Sequence, residues 1–241
     1  MIVSAPVADV RAKQTPHIGR YVYDPDQETQ VLEGEPVLVK ERRGDWVLVE
    51  CPRQPEYTHK NTWEGYPGWV EVSLLTDDVS KEIPLTPDTR PVAELRAAVL
   101  AQAARHLGEA YLWGGRSLHS DSYRKTVTGV DCSGLVNWSF LQLGLIVPRD
   151  AHEQYMRARR VEPNRLMPGD LIFAAKADRP DRVTHVAFYA GDGKILEAPQ
   201  SGQPVHQISV EERFGKKLSD MTNGETVGER VIYFGTLFED K

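Results

Sequence analysis

Cysteine is nearly absent from this 241-residue chain, which carries only Cys51 and Cys132. Two thiols in dissimilar surroundings give little support to a bridge and exclude a disulfide-built scaffold. Long hydrophobic runs are missing too. No stretch approaches the roughly 18 apolar residues of a spanning helix, and Met1-Ile2-Val3-Ser4-Ala5-Pro6 has neither the basic nor the long apolar region of a signal peptide. The expectation is a cytoplasmic protein with no membrane partner. A basic surplus is also lacking: 29 Lys and Arg stand against 35 Asp and Glu, a net charge of −6, which argues against a surface that tracks a phosphate backbone, so no nucleic-acid partner is expected. What remains, 40% apolar and 27% charged residues, is ordinary for a folded chain. A chain of this length buries roughly 70–75% of its unfolded surface without covalent or metal staples.

From residue 1 to 78 short apolar runs alternate with turn residues: Tyr21-Val22-Tyr23, Val37-Leu38-Val39, Trp46-Val47-Leu48-Val49 and Gly68-Trp69-Val70-Glu71-Val72. β-Branched and aromatic residues set between Gly, Pro and Asp predict a small antiparallel barrel. Pro84, Pro87 and Pro91 then break regular structure across a linker at 79–91. Beyond it, Val92 to His106 sets Leu95, Val99 and Ala103 on one helical face, and a second helix is expected from Ser133 to Leu143, stopped by Gly144. Strands are expected at 170–174, 183–190, 194–198 and 230–234. Helices followed by a run of strands make residues 92–241 an α+β domain.

The chemistry concentrates around Gly129-Val130-Asp131-Cys132-Ser133-Gly134-Leu135. A thiol where a loop becomes a helix meets backbone N–H groups and the positive dipole end, which favour a thiolate and an oxyanion. The alternative for Cys132 is a small core residue packing a tight turn. In Thr184-His185-Val186-Ala187-Phe188-Tyr189-Ala190 alternation sends His185, Ala187 and Tyr189 to one face, which makes His185 a candidate base. If Gly191-Asp192-Gly193 is a three-residue loop, Ala190 opposes Lys194 and Glu197 falls diagonally beside His185 on that face; a two-residue loop reverses the parity. Glu197 is then either the orienting carboxylate or a solvated strand residue. His17, His59, His106, His119, His152 and His206 read as surface or packing residues. Zinc on Cys132, His185 and Glu197 lacks a close-spaced ligand pair, so no metal or other cofactor is expected.

Tyr111-Leu112-Trp113-Gly114-Gly115, Asp131-Cys132-Ser133-Gly134-Leu135, Pro168-Gly169-Asp170-Leu171 and His185-Val186-Ala187 together resemble the NlpC/P60 family of cysteine peptidases. Residues 1–78, with Ala5-Pro6-Val7-Ala8-Asp9-Val10-Arg11 and Gly65-Tyr66-Pro67-Gly68-Trp69-Val70, resemble a bacterial SH3-like domain. The resemblance implies a papain-like fold, Cys132 as nucleophile, His185 as base and Tyr111 at the oxyanion site. It also implies hydrolysis of cell-wall (murein) peptides, commonly between the γ-carboxyl of D-glutamate and a diamino acid. Asp131 and Ser133 match positions that contact the free amine of an N-terminal L-alanine in relatives resembling murein-peptide recycling enzymes. Trp113 resembles a substrate-pocket aromatic, with core packing as its alternative.

Two departures stand out. Many relatives carry histidine where this chain has Glu197, a replacement that still accepts the imidazole N–H. Arg149-Asp150-Ala151-His152-Glu153-Gln154 resembles a segment bordering the substrate cleft, which makes Arg149 and Asp150 substrate-binding candidates, but Ala151 sits where a hydroxyl residue is common. The polar stretch Arg116 to Val130 reads as a lid over the cleft or as a passive surface loop. The chemistry also suits an amidase or acyltransferase of the same fold, and the fold alone a non-catalytic wall-peptide binder.

Overall fold

The computed structural model describes residues 1–18, 23–120 and 127–239. Tyr21 and Val22 of the strand expected at Tyr21-Val22-Tyr23, and the middle of the expected lid, 121–126, lie outside the described residues.

The N-terminal region is an antiparallel sheet of β1 (Val7–Arg11), β2 (Gln27–Leu32), β3 (Leu38–Arg43), β4 (Trp46–Tyr57) and β5 (Trp63–Glu71), in the order β2-β1-β5-β4-β3. Period-2 alternation in β4 turns Val47, Val49 and Cys51 inward, where they meet Val10, Val31 and Val70. The predicted barrel is not closed: among the described residues no pairing joins β2 to β3. Every residue of β3 is exposed, and its Lys-Glu-Arg-Arg run gives it no apolar face with which to close, a common protection of an edge strand. The proline-bearing stretch that follows is tied at both ends, by Ile83 N–H to Gly34 O at 3.0 Å and Asp88 N–H to Leu143 O at 2.8 Å.

Helix α1 (Val92–Ala104) buries the expected Leu95, Val99 and Ala103. Helix α2 (Cys132–Leu141) is buried along all ten residues, so it is a central helix with no solvent face. Gly144 ends the turn beyond it at φ +69, where a Cβ would meet Thr86 O at 2.1 Å. Helix α3 (Ala151–Arg157) was not anticipated from the sequence. The strands β6 (Leu171–Lys176), β7 (Arg179–Gly191), β8 (Lys194–Glu197) and β9 (His206–Ser209) are followed by a short helix α4 (Val210–Phe214), then β10 (Glu225–Val227) and β11 (Arg230–Thr236). They form one antiparallel sheet ordered β9-β8-β7-β6-β11-β10, with Arg159–Arg160 added on β11. Leu171, Phe173, Val186 and Phe188 join the apolar cluster that contains α2, while Ile172, Ala174, Ile195, Ile232 and Phe234 form a second cluster with Val210 of α4. A sheet covered on both faces explains why Leu171-Ile172-Phe173-Ala174-Ala175 is apolar without alternation.

Candidate active site

Cys132 opens α2, and the turn that places it is held by Asp131. The Asp131 carboxylate caps the helix by accepting from Gly134 N–H at 2.6 Å. A Cβ on Gly134 would fall 2.0 Å from Gly115 O, so the helix start packs directly on the Gly114-Gly115 backbone. Burial, reinforced by the Asp131 charge, pushes the Cys132 thiol up to about 12; the backbone N–H groups of Val186 and Ser133 and the Arg149 charge act the other way. The expected thiolate is therefore not the resting form. Desolvation outweighs the helix end, and the sulfur rests as a thiol against the strand that carries His185.

The hairpin that places His185 differs from the expected one and reaches the same parity. The loop is two residues, Asp192 and Gly193, both at positive φ, with Gly191 opposite Lys194. A bulge at Ala190 then restores the register, pairing Tyr189 with Ile195 and Phe188 with Leu196. Glu197 consequently shares a face with His185, and His185 Nε2 lies 2.5 Å from Glu197 Oε2. Glu197 is fully buried. Its second oxygen is 3.2 Å from His206 Nε2 and 2.6 Å from Arg213 Nε. Burial alone would raise this carboxyl, but the hydrogen bond and charge of His185, with Arg213 and His206, hold it at about 2. The reading of His206 as a surface or packing residue is thus corrected: β8 and β9 pair Glu197 with His206 directly. Arg213 carried no signal in the sequence, because it lies on α4, well beyond Glu197 in the chain, and meets it only through the fold.

Asp131 does not wait unpaired for a substrate cation. Besides the Gly134 N–H it accepts from Gly114 N–H at 3.0 Å, Ser133 Oγ at 3.3 Å, and Arg149 through Nη1 at 3.1 Å and Nη2 at 2.8 Å. Arg149 is itself 1% exposed; its remaining donors go to Thr29 Oγ1 at 2.6 Å, Ser133 Oγ at 3.0 Å and Gly115 O at 3.5 Å. The expectation that Arg149 binds substrate is corrected accordingly: its fork is spent joining the helix cap to β2 of the N-terminal sheet. Ser133 is buried in the same cluster.

The other candidates occupy the rim. Tyr111 is buried, and desolvation followed by the proximity of Cys132 and Asp131 raises its phenol, so its O–H stays a donor. Trp113 is 44% exposed and meets Tyr23 edge-on at 5.5 Å, which removes the core-packing alternative. Asp150 accepts from Tyr66 Oη at 3.3 Å, and the same hydroxyl lies 3.3 Å from Glu28 Oε2. Burial, with Glu153 and Asp131 against Arg149, raises Asp150 to about 6. Glu56 is raised to about 7 by burial and by Asp150, Glu153, Glu28 and Glu64, and burial raises Glu28 too. A patch of crowded carboxylates therefore sits where the N-terminal sheet meets the start of α3; tertiary proximity across about a hundred residues is its only signal. The ends of the expected lid are anchored rather than loose: Arg116 is fully buried and bidentate to Glu35 at 3.0 and 2.7 Å, and Gln30 binds Val127 O at 2.6 Å.

Comparison with known proteins falls on this same stretch. The NlpC/P60 family model matches residues 108–222. The chain is 28% identical to the gamma-D-glutamyl-L-lysine dipeptidyl-peptidase of Bacillus subtilis, over 79% of this chain and 78% of that protein. It is 40% identical to peptidoglycan endopeptidase RipB of Mycobacterium tuberculosis over 48% of this chain and 49% of that protein, so it spans about half of the latter's length. The crystal structure of an NlpC/P60 family protein from Bacillus cereus superposes with a TM-score of 0.68 at 22% identity, covering 87% of this chain and 93% of that one, a likeness of fold. With its thiol at the head of a buried helix and its histidine on the adjoining strand, the domain at residues 108–222 belongs to the NlpC/P60 family.

Proposed function

We propose that the protein is a cysteine endopeptidase that hydrolyses the γ-D-glutamyl–diamino acid bond of murein peptides bearing a free N-terminal L-alanine. The observation that carries this reading is the arrangement at α2 and β7: a thiol under the Ser133 and Val186 N–H groups, and next along the strand from Val186 a histidine whose Nε2 is held by Glu197 at 2.5 Å. His185 takes the thiol proton as sulfur bonds to the γ-carbonyl carbon, and Tyr111 O–H with the Ser133 N–H receives the oxyanion. As the C–N bond breaks, His185 returns that proton to the departing amine, leaving a thioester on Cys132. Water, deprotonated by His185, then releases the γ-carboxylate and restores the thiol.

The amine recognition assigned to Asp131 from sequence moves to the patch of Glu28, Glu56 and Asp150. These carboxyls are crowded and raised, and an ammonium would relieve their repulsion. That patch favours peptides over the amidase alternative, whose substrate has its alanine amine blocked. Two domains, 1–78 SH3-like and 92–241 catalytic, joined at 79–91, fit the separate apolar clusters; the N-terminal one supplies Tyr66, Glu28 and Glu56 as a wall of the cleft. The names of the two relatives support the reaction class, and a free-amine requirement suits recycling of released wall peptides in the cytoplasm. Incubation with L-Ala-γ-D-Glu-L-Lys should yield L-Ala-γ-D-Glu and lysine by mass, and Cys132→Ala should yield neither. Full turnover by Cys132→Ala would end the reading.

A further inference from the structure

Beside His185 the sheet gathers a cluster of cations. In the pairing of β6 with β11, Lys176 stands directly opposite Arg230, and two positions along β6 Ala174 is paired with His185 on one side and Ile232 on the other. Residues directly opposite share a face, so Lys176 and Arg230 lie on the face that carries His185, about 7 Å along the strand. Arg213 reaches the same place from α4. These three cations and His185 line a cavity of about 190 Å³, with Thr184 and Gln200 on its wall.

The arrangement costs the protein something. Like charges directly opposite in a sheet are destabilising, and burial and the Arg213 charge both act against the Arg230 cation. The two carboxylates that favour it, Glu197 and Glu229, act without contact, and Glu197 already holds Arg213 at 2.6 Å. Among the described residues the side chains of Lys176 and Arg230 have neither an ion pair nor a hydrogen bond. A chain of net charge −6 thus gathers cations beside its general base and leaves two of them without an anion.

We propose that this cavity is a carboxylate subsite for the leaving residue, with Arg230 as the residue that determines specificity. The inference rests on the peptidase reading: the imidazole that receives the thiol proton delivers it to the departing nitrogen, so the residue bearing that nitrogen must lie against His185. Two carboxylates of a diamino acid fit the cavity. One is the α-carboxylate of a residue that ends its peptide; the other is the side-chain carboxylate of 2,6-diaminopimelate, which lysine lacks.

The test measures kcat/KM for release of L-Ala-γ-D-Glu from four peptides: the L-Lys tripeptide and its α-amide, and the diaminopimelate tripeptide and its α-amide. Each is run with the wild type, Arg230→Gln and Arg230→Lys, and binding of each peptide to Cys132→Ala is read by calorimetry. Charge-assisted hydrogen bonds of this kind are worth about tenfold or more. If the α-carboxylate is held, both acids beat their amides by that factor. If the side-chain carboxylate is held, both diaminopimelate peptides beat both lysine peptides. In either case the preference should collapse to near one in Arg230→Gln, return in Arg230→Lys, and appear in the Cys132→Ala affinities. Cleavage of all four peptides within twofold by the wild type, or a preference unchanged in Arg230→Gln, would overturn the subsite while leaving the peptidase intact. No cleavage of any peptide and no binding would overturn both.

Discussion

Asp131 and Glu197 differ from Glu28, Glu56 and Asp150 in one respect that sorts their work. The first two are buried and saturated, Asp131 by Arg149, Ser133 and two backbone N–H groups, Glu197 by His185, His206 and Arg213. Each fixes one half of the catalytic pair: Asp131 the helix that starts with Cys132, Glu197 the ring of His185. The other three crowd one another around Tyr66, and Glu56 and Asp150 are raised to about 7 and 6. A saturated carboxylate positions, because no acceptor capacity remains for a ligand. An unsaturated one beside like charges gains from a cation and is the better place for a substrate ammonium.

The largest effect should come from breaking a saturated pair. Arg149→Met strands the Asp131 charge in the interior and should cost about 3–5 kcal/mol, a Tm lower by roughly 10 °C at about 2–4 °C per kcal/mol. The double variant Asp131→Asn, Arg149→Met should lose less than the two singles added together, read by thermal unfolding. Loss of Glu197 should act on turnover instead. Neutralising the orienting Asp of the serine-protease triad costs roughly 10⁴-fold; Glu197→Ala should lose less, about 10²–10³-fold in kcat, since His185 keeps its strand position and the thiol is the better nucleophile. Wild-type rates in Glu197→Ala would make the carboxylate a bystander.

The two sets of carboxylates should also divide the pH profile. Glu197 sits at about 2, below its ordinary value, so its stabilisation is complete above about pH 4.5 and is lost as pH falls toward 2; that amounts to about 3 kcal/mol. An acid titration of Tm should show this loss in the wild type and less of it in Glu197→Ala. Glu56 and Asp150 are raised, so their ionisation in the fold is delayed to about pH 6–7. The kcat/KM for a free-amine peptide should therefore climb through that range, and less steeply in Glu56→Gln, where Asp150 still titrates. An N-acetylated peptide should show no such climb.

What was legible beforehand follows the range of the interactions. Cys132 and its helix, and the apolar faces of α1 and α2, are written in local spacing, because helix starts and amphipathic periods need only neighbouring residues. His185 and Glu197 were readable as same-face residues, yet through a loop of the wrong length: the bulge at Ala190 corrected the parity that a two-residue turn would have reversed. Arg149 was misread because its partner Asp131 and its contact Thr29 lie 18 and 120 residues away, and no local pattern shows that a guanidinium will be buried. His206, Arg213, Tyr66 and Glu56 escaped for the same reason. The open edge at β3 was visible in its run of charges, which a barrel reading overlooked.

Comparing L-Ala-γ-D-Glu-L-Lys with its N-acetylated form, at pH 7.5 and under matched conditions, separates the roles of the two carboxylate sets in one measurement. Removing the ammonium leaves the crowded carboxylates without their cation, a loss of about 2–5 kcal/mol for a desolvated charge pair. The expected result is a kcat/KM at least 30-fold lower for the acetylated peptide, with the gap shrinking in Glu56→Gln. Equal cleavage of both peptides would contradict it, leaving the patch around Tyr66 without a role in recognition and pointing to an enzyme that acts on the intact wall.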